Sequence, residues 1–463
     1  MDDNEFERIA SDNPALTAPA AQRVAISRNK SNGQTKRMST PSGDTQLSAA
    51  PSKLTKYEVR QRIETYSRAP ANLAQVGWRR VVRNFSPSWF SVTMGTGIVS
   101  ILLYTIPFQA DWLYWLSVFF FGLNTIIFFA AFGITVLRYS LYPEIWSVMI
   151  RDSTNSLFLG TMPMGFATLV NAWVNLCVPY FGPWAVTFAW VCWMIDCVVA
   201  LAVTISLTVL LISAYDQQAL HRITAVQLLP IAATIVAAGS GAQVAGVLPN
   251  PDNALGTIIA SYVMWGMSTP LAMTVLVMYY TRLALHKLPP REIVVSSFLP
   301  LGPLGMGGYT IMYLGSVSRT VFPQTHFFHD LAIAGDIFFV LGGFIALIMW
   351  SFGLTWLCFA LASIYKLRPF PFNMGWWGFT FPLGVFAVST IQFGVQMPSL
   401  FFKVLGTIFS VAVIMLWCVV ATGTVRGAID GKLFHAPCLA NLPKREDDSE
   451  GAENGEKEKG PST

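Results

Sequence analysis

Ten apolar segments, each long enough to cross a bilayer as a helix, fill most of the chain between Phe85 and Arg426. They cover approximately residues 86–105, 112–137, 155–177, 184–213, 226–248, 254–281, 293–317, 331–362, 375–393 and 399–424. Of the 463 residues, 53% are hydrophobic and only 12% are charged, and the mean hydropathy is +0.51. This composition excludes a soluble domain and predicts an all-α integral membrane protein.

The loops and tails predict the domain boundaries and the orientation. We place the membrane domain at 77–430, between disordered tails at 1–76, which is polar, and 431–463, which is charged. Lys and Arg concentrate in alternate loops, on the side of the basic segment before the first span: Arg138, Arg151, Arg222, Arg282, Lys287, Arg291, Lys366 and Arg368. Three of the opposite loops, "IPFQAD", "NLCVPYFGP" and "VLPNPDNA", carry none, and the exceptions to the pattern are Arg319 and Lys403. By the positive-inside rule, both termini are cytoplasmic.

Proline separates the odd-numbered spans from the even-numbered ones. Every odd-numbered span carries proline: Pro87, Pro163, Pro230, Pro300, Pro303 and Pro382. Among the even-numbered spans only the sixth has one, Pro270, and stretches such as "SVFFFGLNTIIFFAAFGI" are typical of lipid-facing helices. Proline removes a backbone donor, so we expect the odd-numbered helices to be kinked and to lie inside, where their free carbonyl groups meet protein or water. The alternation predicts five helical hairpins, with an inner ring surrounded by an outer ring.

Glycine and hydroxyl residues recur in the same odd-numbered spans, as in "MGTG", "MPMGF", "AAGSGA" and "GPLGMGG". Such residues either permit close helix packing or line a pathway with backbone atoms. We expect the second role here, and the candidate pore-lining residues are Thr93, Gly95, Thr96, Gly97, Pro163, Gly165, Gly239, Ser240, Gly241, Pro300, Pro303, Gly307, Gly308 and Pro382.

The sequence lacks the usual signatures of enzymes. It contains no G-x-x-x-x-G-K-[ST], His-Glu-x-x-His, G-x-S-x-G or Cys-x-x-Cys motif. The six cysteines lie mostly in apolar runs and are read as packing residues. We therefore expect no enzymatic activity, no metal, no cofactor and no nucleic-acid partner.

Few polar groups lie within the spans. Asp196, in the fourth span, is either a proton-coupling carboxylate or a carboxyl group held by a hydrogen bond between helices. Gln243, Gln392 and Arg319 lie toward the outer side, where they could face water. No Lys or Arg is near the middle of an odd-numbered span. Backbone dipoles and hydroxyl groups would attract an anion weakly and let it leave, which favours throughput.

Five stretches resemble the tellurite-resistance/dicarboxylate transporter family, which includes plant slow anion channels and fungal sulfite exporters. They are "GWRRVVRNFSPSWFSVTMGTGIVSILL", "LFLGTMPMGFATLVN", "LLPIAATIVAAGSGAQVAG", "FLPLGPLGMGGYTIMYLG" and "WWGFTFPLGVFAVST". The resemblance implies ten helices in quasi-fivefold symmetry around one pore per protomer, and a homotrimer. It also implies a phenylalanine gate on the ninth helix, which we assign to Phe381, with Phe379 as the alternative and Phe166 as a weaker candidate.

The expected function follows from the fungal branch of this family: export of sulfite across the plasma membrane through a Phe-gated pore. A proton-coupled malate or C4-dicarboxylate carrier and a nitrate or chloride channel are the alternatives within transport. The carrier would need a titratable group on its pathway, such as Asp196. A membrane receptor is the alternative from another class, although ten spans disfavour a seven-span receptor.

Overall fold

A computed structural model describes residues 78–152, 154–213, 220, 223–329, 331, 333–431 and 433–434. The predicted tails lie outside these residues except at 431, 433 and 434, and Arg222 lies outside them too. Ten helices of 16 residues or more occupy the described part, one in each predicted span. They are α1 (Phe90–Thr105), α2 (Asp111–Leu141), α3 (Thr161–Leu176), α4 (Pro183–Ser213), α5 (Leu228–Ala245), α6 (Pro251–His286), α7 (Leu301–Thr325), α8 (Ala334–Lys366), α9 (Thr380–Gln396) and α10 (Leu400–Ile429). Shorter helices span Trp78–Asn84, Glu144–Arg151 and Val178–Phe181.

Nine of the ten helices are long and apolar enough to cross a membrane, counted over the described residues. The exception is α7, whose 25 residues include five glycines and Arg319 and are therefore less hydrophobic than the other helices. Among the described residues there is no β-strand. These findings confirm the all-α membrane class that the composition predicts.

Burial alternates along the chain. In the most apolar windows of α1, α3, α5 and α9, between 72% and 100% of the residues are buried, and most of α7 is buried as well. In the corresponding windows of α2, α4, α6, α8 and α10 the share is only 17% to 39%. The exposed residues of these even-numbered helices are mostly large and apolar, such as Phe119, Ile126 and Phe129 of α2. The odd-numbered helices therefore form the interior, and the even-numbered helices present the apolar outer surface.

Contacts among the buried helices follow a closed order. Helix α1 packs against α3, α3 against α5, α5 against α7, α7 against α9, and α9 against α1. Each buried helix also packs against the exposed helix that follows it in the chain. One continuous hydrophobic cluster includes residues from all five buried helices.

The recurring prolines lie at the starts of the buried helices. Pro163, Pro230, Pro303 and Pro382 are the third residues of α3, α5, α7 and α9. The N–H groups of the first four helical residues have no acceptor within the helix, so proline costs no hydrogen bond there. In these four helices proline therefore breaks no α-helical hydrogen bond, and the expected kinks stay a prediction.

A short 3-10 segment precedes each of the five buried helices. These segments are Pro87–Trp89, Ser156–Gly160, Ala225–Gln227, Arg291–Phe298 and Met374–Gly378. Pro87 opens the first of them, and Pro300 is the N-cap residue of α7. The same local structure is thus repeated five times along the chain.

A side-chain N–H of each exposed helix donates to the next buried helix, and α10, the last, donates to α1. The bonds run from Asn124 Nδ2 to Thr168 Oγ1 (3.2 Å), Trp193 Nε1 to Ala237 O (2.9 Å), Trp265 Nε1 to Gly307 O (2.9 Å), Trp350 Nε1 to Thr390 Oγ1 (2.9 Å) and Trp417 Nε1 to Thr96 Oγ1 (3.1 Å). Buried polar groups need such partners, because water cannot satisfy them inside a membrane protein. These bonds fix each exposed helix against the interior.

Candidate functional site

A wide cavity of about 510 Å³ lies where the five buried helices begin. Every buried helix contributes to its lining, through Met94, Met164, Ala232, Pro303 and Pro382. The 3-10 segments and the residues around them add polar groups, namely Ser86, Ser88, Ser91, Thr154, Asn155, Ser296 and Asn373. Because exposed Glu292 and Ile293 also line it, the wide cavity reaches the protein surface.

The helix N-termini around the wide cavity favour negative charge, and exposed Glu292, at the surface end of the lining, opposes it. Helix N-termini carry a partial positive charge from their unpaired N–H groups, and five helices begin around this cavity. Neither Lys nor Arg is among the described residues that line it. An anion here meets hydroxyl groups, amide groups and helix dipoles rather than a fixed cation.

The beginning of the C-terminal segment closes one side of the wide cavity. Leu433 lines the cavity, and its backbone N–H donates to the carbonyl oxygen of Gly427. The ring of Phe434 stacks on Trp89, with 5.0 Å between centroids, and Trp89 stacks in turn on Phe85. The first residues after α10 therefore pack against the segment that precedes α1.

A narrow cavity of about 20 Å³ lies deeper in the bundle, and all five buried helices line it as well. Its lining includes Ile98, Asn171, Val236, Tyr309 and Val388. A volume of this size has room for about one water molecule. The lining residues of the two cavities follow one stripe on each helix, as Met94, Ile98 and Ile101 do on α1. The stripes therefore trace a path along the centre of the bundle.

Phe381 is the one residue, among those described, that borders both cavities. It is the second residue of α9, and its side chain is buried. The aromatic ring thus lies between the wide cavity and the narrow one.

The other two gate candidates pack elsewhere. Phe379 contacts Phe298 edge to face, with 4.9 Å between ring centroids, and also contacts Trp376. Phe166 stacks on Phe128 of the exposed helix α2, with 5.6 Å between centroids. Neither residue lines the wide or the narrow cavity. The geometry therefore favours Phe381 over both alternatives.

The glycines expected to line a pore lie instead where helices touch. A Cβ atom added to any of them would come within 2.0 to 3.3 Å of a neighbouring atom, and they are Gly95, Gly97, Gly165, Gly239, Gly241, Gly307 and Gly308. At Gly97, for example, it would collide with Thr168 and with Asn124. Among the described glycines of the buried helices, Gly302 is the one with open space, and it lines the wide cavity.

The predicted hydroxyl groups are also turned away from both cavities. Thr93 donates to Phe90 O (2.7 Å), Thr96 to Val92 O (2.8 Å) and Ser240 to Val236 O (3.2 Å). Such bonds to the preceding turn satisfy the hydroxyl proton locally. Pro163 and Pro300 border neither cavity, so of the predicted lining residues Pro303 and Pro382 reach the path.

Asn171 and Tyr309 went unassigned in the sequence, and they line the narrow cavity together with Gln243, which the sequence singled out as a polar group able to face water. Gln243 stands out as a polar residue in an apolar span, whereas nothing in the sequence singles out Tyr309. A usable signal for Asn171 is its spacing of seven residues from Met164, which places both on one face of α3.

Asp196 lies off the path. It belongs to the exposed helix α4, is only 2% exposed, and lines neither cavity. Neither of its carboxylate oxygens has a hydrogen-bond partner among the described residues. The expected hydrogen bond between helices is therefore not formed, and a coupling role would have to act without contact with the path.

Residues 84–425 match the SLAC1 family, described as voltage-dependent anion channel, and the chain therefore belongs to this family. The sulfite efflux pump SSU1 of Arthroderma otae is 49% identical over 353 residues, which cover 76% of this chain and 93% of that protein. The sulfite efflux pump SSU1 of Candida albicans is 30% identical, over 74% of each chain. The malic acid transport protein of Schizosaccharomyces pombe is 24% identical, over 76% of this chain and 81% of that protein.

Proposed function

We propose that this protein exports sulfite from the cytosol along the centre of the helix bundle, and that Phe381 gates the path. The observation that carries this proposal is the arrangement of two cavities, each lined by all five buried helices, on either side of one aromatic ring. The identity of 49% to a sulfite efflux pump supports sulfite as the anion.

We propose that all ten long helices cross the membrane, α7 included, and that they are arranged in quasi-fivefold order. Three observations support this: the closed contact order of the buried helices, the five 3-10 segments, and the five bonds from exposed to buried helices. Because α7 is enclosed by other helices, it needs less hydrophobicity than a lipid-facing span. We also propose the homotrimer that the family resemblance implies, which a mass measurement in detergent would test.

The proposed orientation places both termini in the cytosol of the cell and the protein in its plasma membrane. Arg138, Arg151 and Arg282 lie near the C-terminal ends of their helices, on the side of the bundle where the wide cavity opens. The positive-inside rule assigns this basic side to the cytosol. The wide cavity then opens to the cytosol. With the cytosol negative, export of each negative elementary charge is favoured by about 2.3 kcal/mol per 100 mV. Anion efflux therefore does not require ATP hydrolysis.

The test compares anions in liposomes that contain only this protein. Sulfite flux should exceed nitrate and malate flux, and it should follow the anion gradient without a proton gradient. Absence of sulfite flux in vesicles that pass malate would instead favour a dicarboxylate carrier, as the distant malic acid transport protein would suggest. Against that carrier, no Asp or Glu lines the narrow cavity in the described residues.

A further inference from the structure

Three side chains from three helices form a polar cluster directly beyond Phe381. Asn171 of α3, Gln243 of α5 and Tyr309 of α7 all line the narrow cavity, and each is no more than 6% exposed. The rest of the lining is apolar except for Thr168.

The cluster has unused acceptor capacity at the oxygen ends of its two side-chain amides. Among the described residues, Asn171 Oδ1 and Gln243 Oε1 have no partner. Thr168 differs, because its hydroxyl donates to Gly165 O (2.7 Å) and accepts from Asn124 (3.2 Å). Leaving a buried amide oxygen unpaired costs about 1–3 kcal/mol, so two of them in one cavity call for an explanation. A side-chain amide has both a donor and an acceptor end, so rotation can present its N–H groups to a ligand.

We propose that Asn171, Gln243 and Tyr309 form an oxyanion-selecting site immediately beyond the gate. This inference rests on the proposed function, which it deepens by naming the residues that determine specificity. The two amide groups and the phenol hydroxyl donate hydrogen bonds to the oxygens of a small oxyanion such as sulfite. Because the donors carry no net charge, they bind the anion weakly enough to release it.

Because the narrow cavity is small, an anion can enter this site only when the Phe381 ring moves. A volume of about 20 Å³ holds one water molecule but not an oxyanion. Displacement of the Phe381 ring joins the narrow cavity to the wide one, which has open space beside Gly302. The anion then reaches the donors only while the ring is displaced.

Hydrogen-bond donors arranged in this way discriminate between anions. A site built to hydrogen-bond a ligand's polar atoms rejects ligands that lack them, because its buried groups are then left unpaired. Chloride accepts hydrogen bonds at a single atom, so three donors must converge on one point to bind it, whereas each of the three oxygens of sulfite can take a donor from a different helix. The site therefore favours sulfite over chloride.

The experiment measures sulfite and chloride flux, in liposomes, for Gln243→Leu, Asn171→Leu and Tyr309→Phe. Each variant should lower the ratio of sulfite to chloride flux, by roughly tenfold for Gln243→Leu, where hydrogen bonds to a charged ligand are lost. Tyr309→Phe removes one hydroxyl with little change in volume, so it keeps the test valid if the leucine variants fail to fold. Gln392→Leu is the matched control, because Gln392 lines neither cavity.

Two outcomes separate this inference from the proposed function. A wild-type protein that carries sulfite, together with variants whose flux ratio is unchanged, overturns the selecting site alone. A wild-type protein that carries no sulfite overturns the proposed function, and the selecting site with it.

Discussion

The indole N–H of Trp417 on α10 donates to the hydroxyl oxygen of Thr96 on α1 across 3.1 Å. The two residues are 321 positions apart, so this bond joins the last long helix to the first. Thr96 uses its own proton on Val92 O and is therefore free only to accept. The bond completes the series in which each exposed helix donates to the next buried one.

Loss of this closing bond should weaken the fold. Trp417→Phe keeps an aromatic ring but removes the N–H donor, and we expect the free energy of unfolding to fall by about 1 kcal/mol. Thermal unfolding of the purified protein in detergent measures the effect. Trp115→Phe is the control, because Trp115 is 68% exposed on the outer surface of α2. Equal losses in both variants would argue against a role for the bond.

Removal of the ring at Phe381 should open the path. We expect Phe381→Ala to raise sulfite flux without a stimulus about tenfold, which corresponds to lowering the barrier by about 1.4 kcal/mol. Sulfite flux into liposomes is the measurement. Phe379→Ala removes an equal ring that borders neither cavity and should leave flux near the wild-type level. A larger increase for Phe379→Ala would transfer the gate to that residue.

Two glycines of the buried helices should respond in opposite ways to the same change. In Gly97→Ala the new methyl group would lie 2.0 Å from Thr168 Oγ1, so we expect a loss of stability of about 1–3 kcal/mol. Gly302→Ala places its methyl group in open space, so stability should be retained. Unfolding temperatures of the two variants give the comparison. A stable Gly97→Ala protein would contradict the tight contact.

Substitution of Asp196 should leave transport intact. Since this residue lines neither cavity, we expect Asp196→Asn to retain sulfite flux and the same dependence of flux on pH. Flux at several external pH values with the anion gradient held constant is the measurement. If the variant abolishes the pH dependence of the wild-type flux, Asp196 couples protons to transport after all.

The proposed gate illustrates how much of the site can be predicted from local sequence. The family resemblance led us to expect a gating phenylalanine within "GFTFP", but it left Phe379 and Phe381 as alternatives. The two residues are separated by about 200° around a helix, so only one of them can face the path. Packing of α9 against α1 and α7 decides that this residue is Phe381.

The sequence by itself determined the membrane class, the ten helices and their alternating burial, because hydropathy and segment length act locally. Only the tertiary structure decided that Gly97 and Gly239 meet neighbouring helices whereas Gly302 opens on a cavity. It also decided that Asn171, Gln243 and Tyr309 meet beyond Phe381. The physical reason is that the rotation of each helix about its own axis is fixed by contacts with its neighbours, and these contacts join residues far apart in the chain.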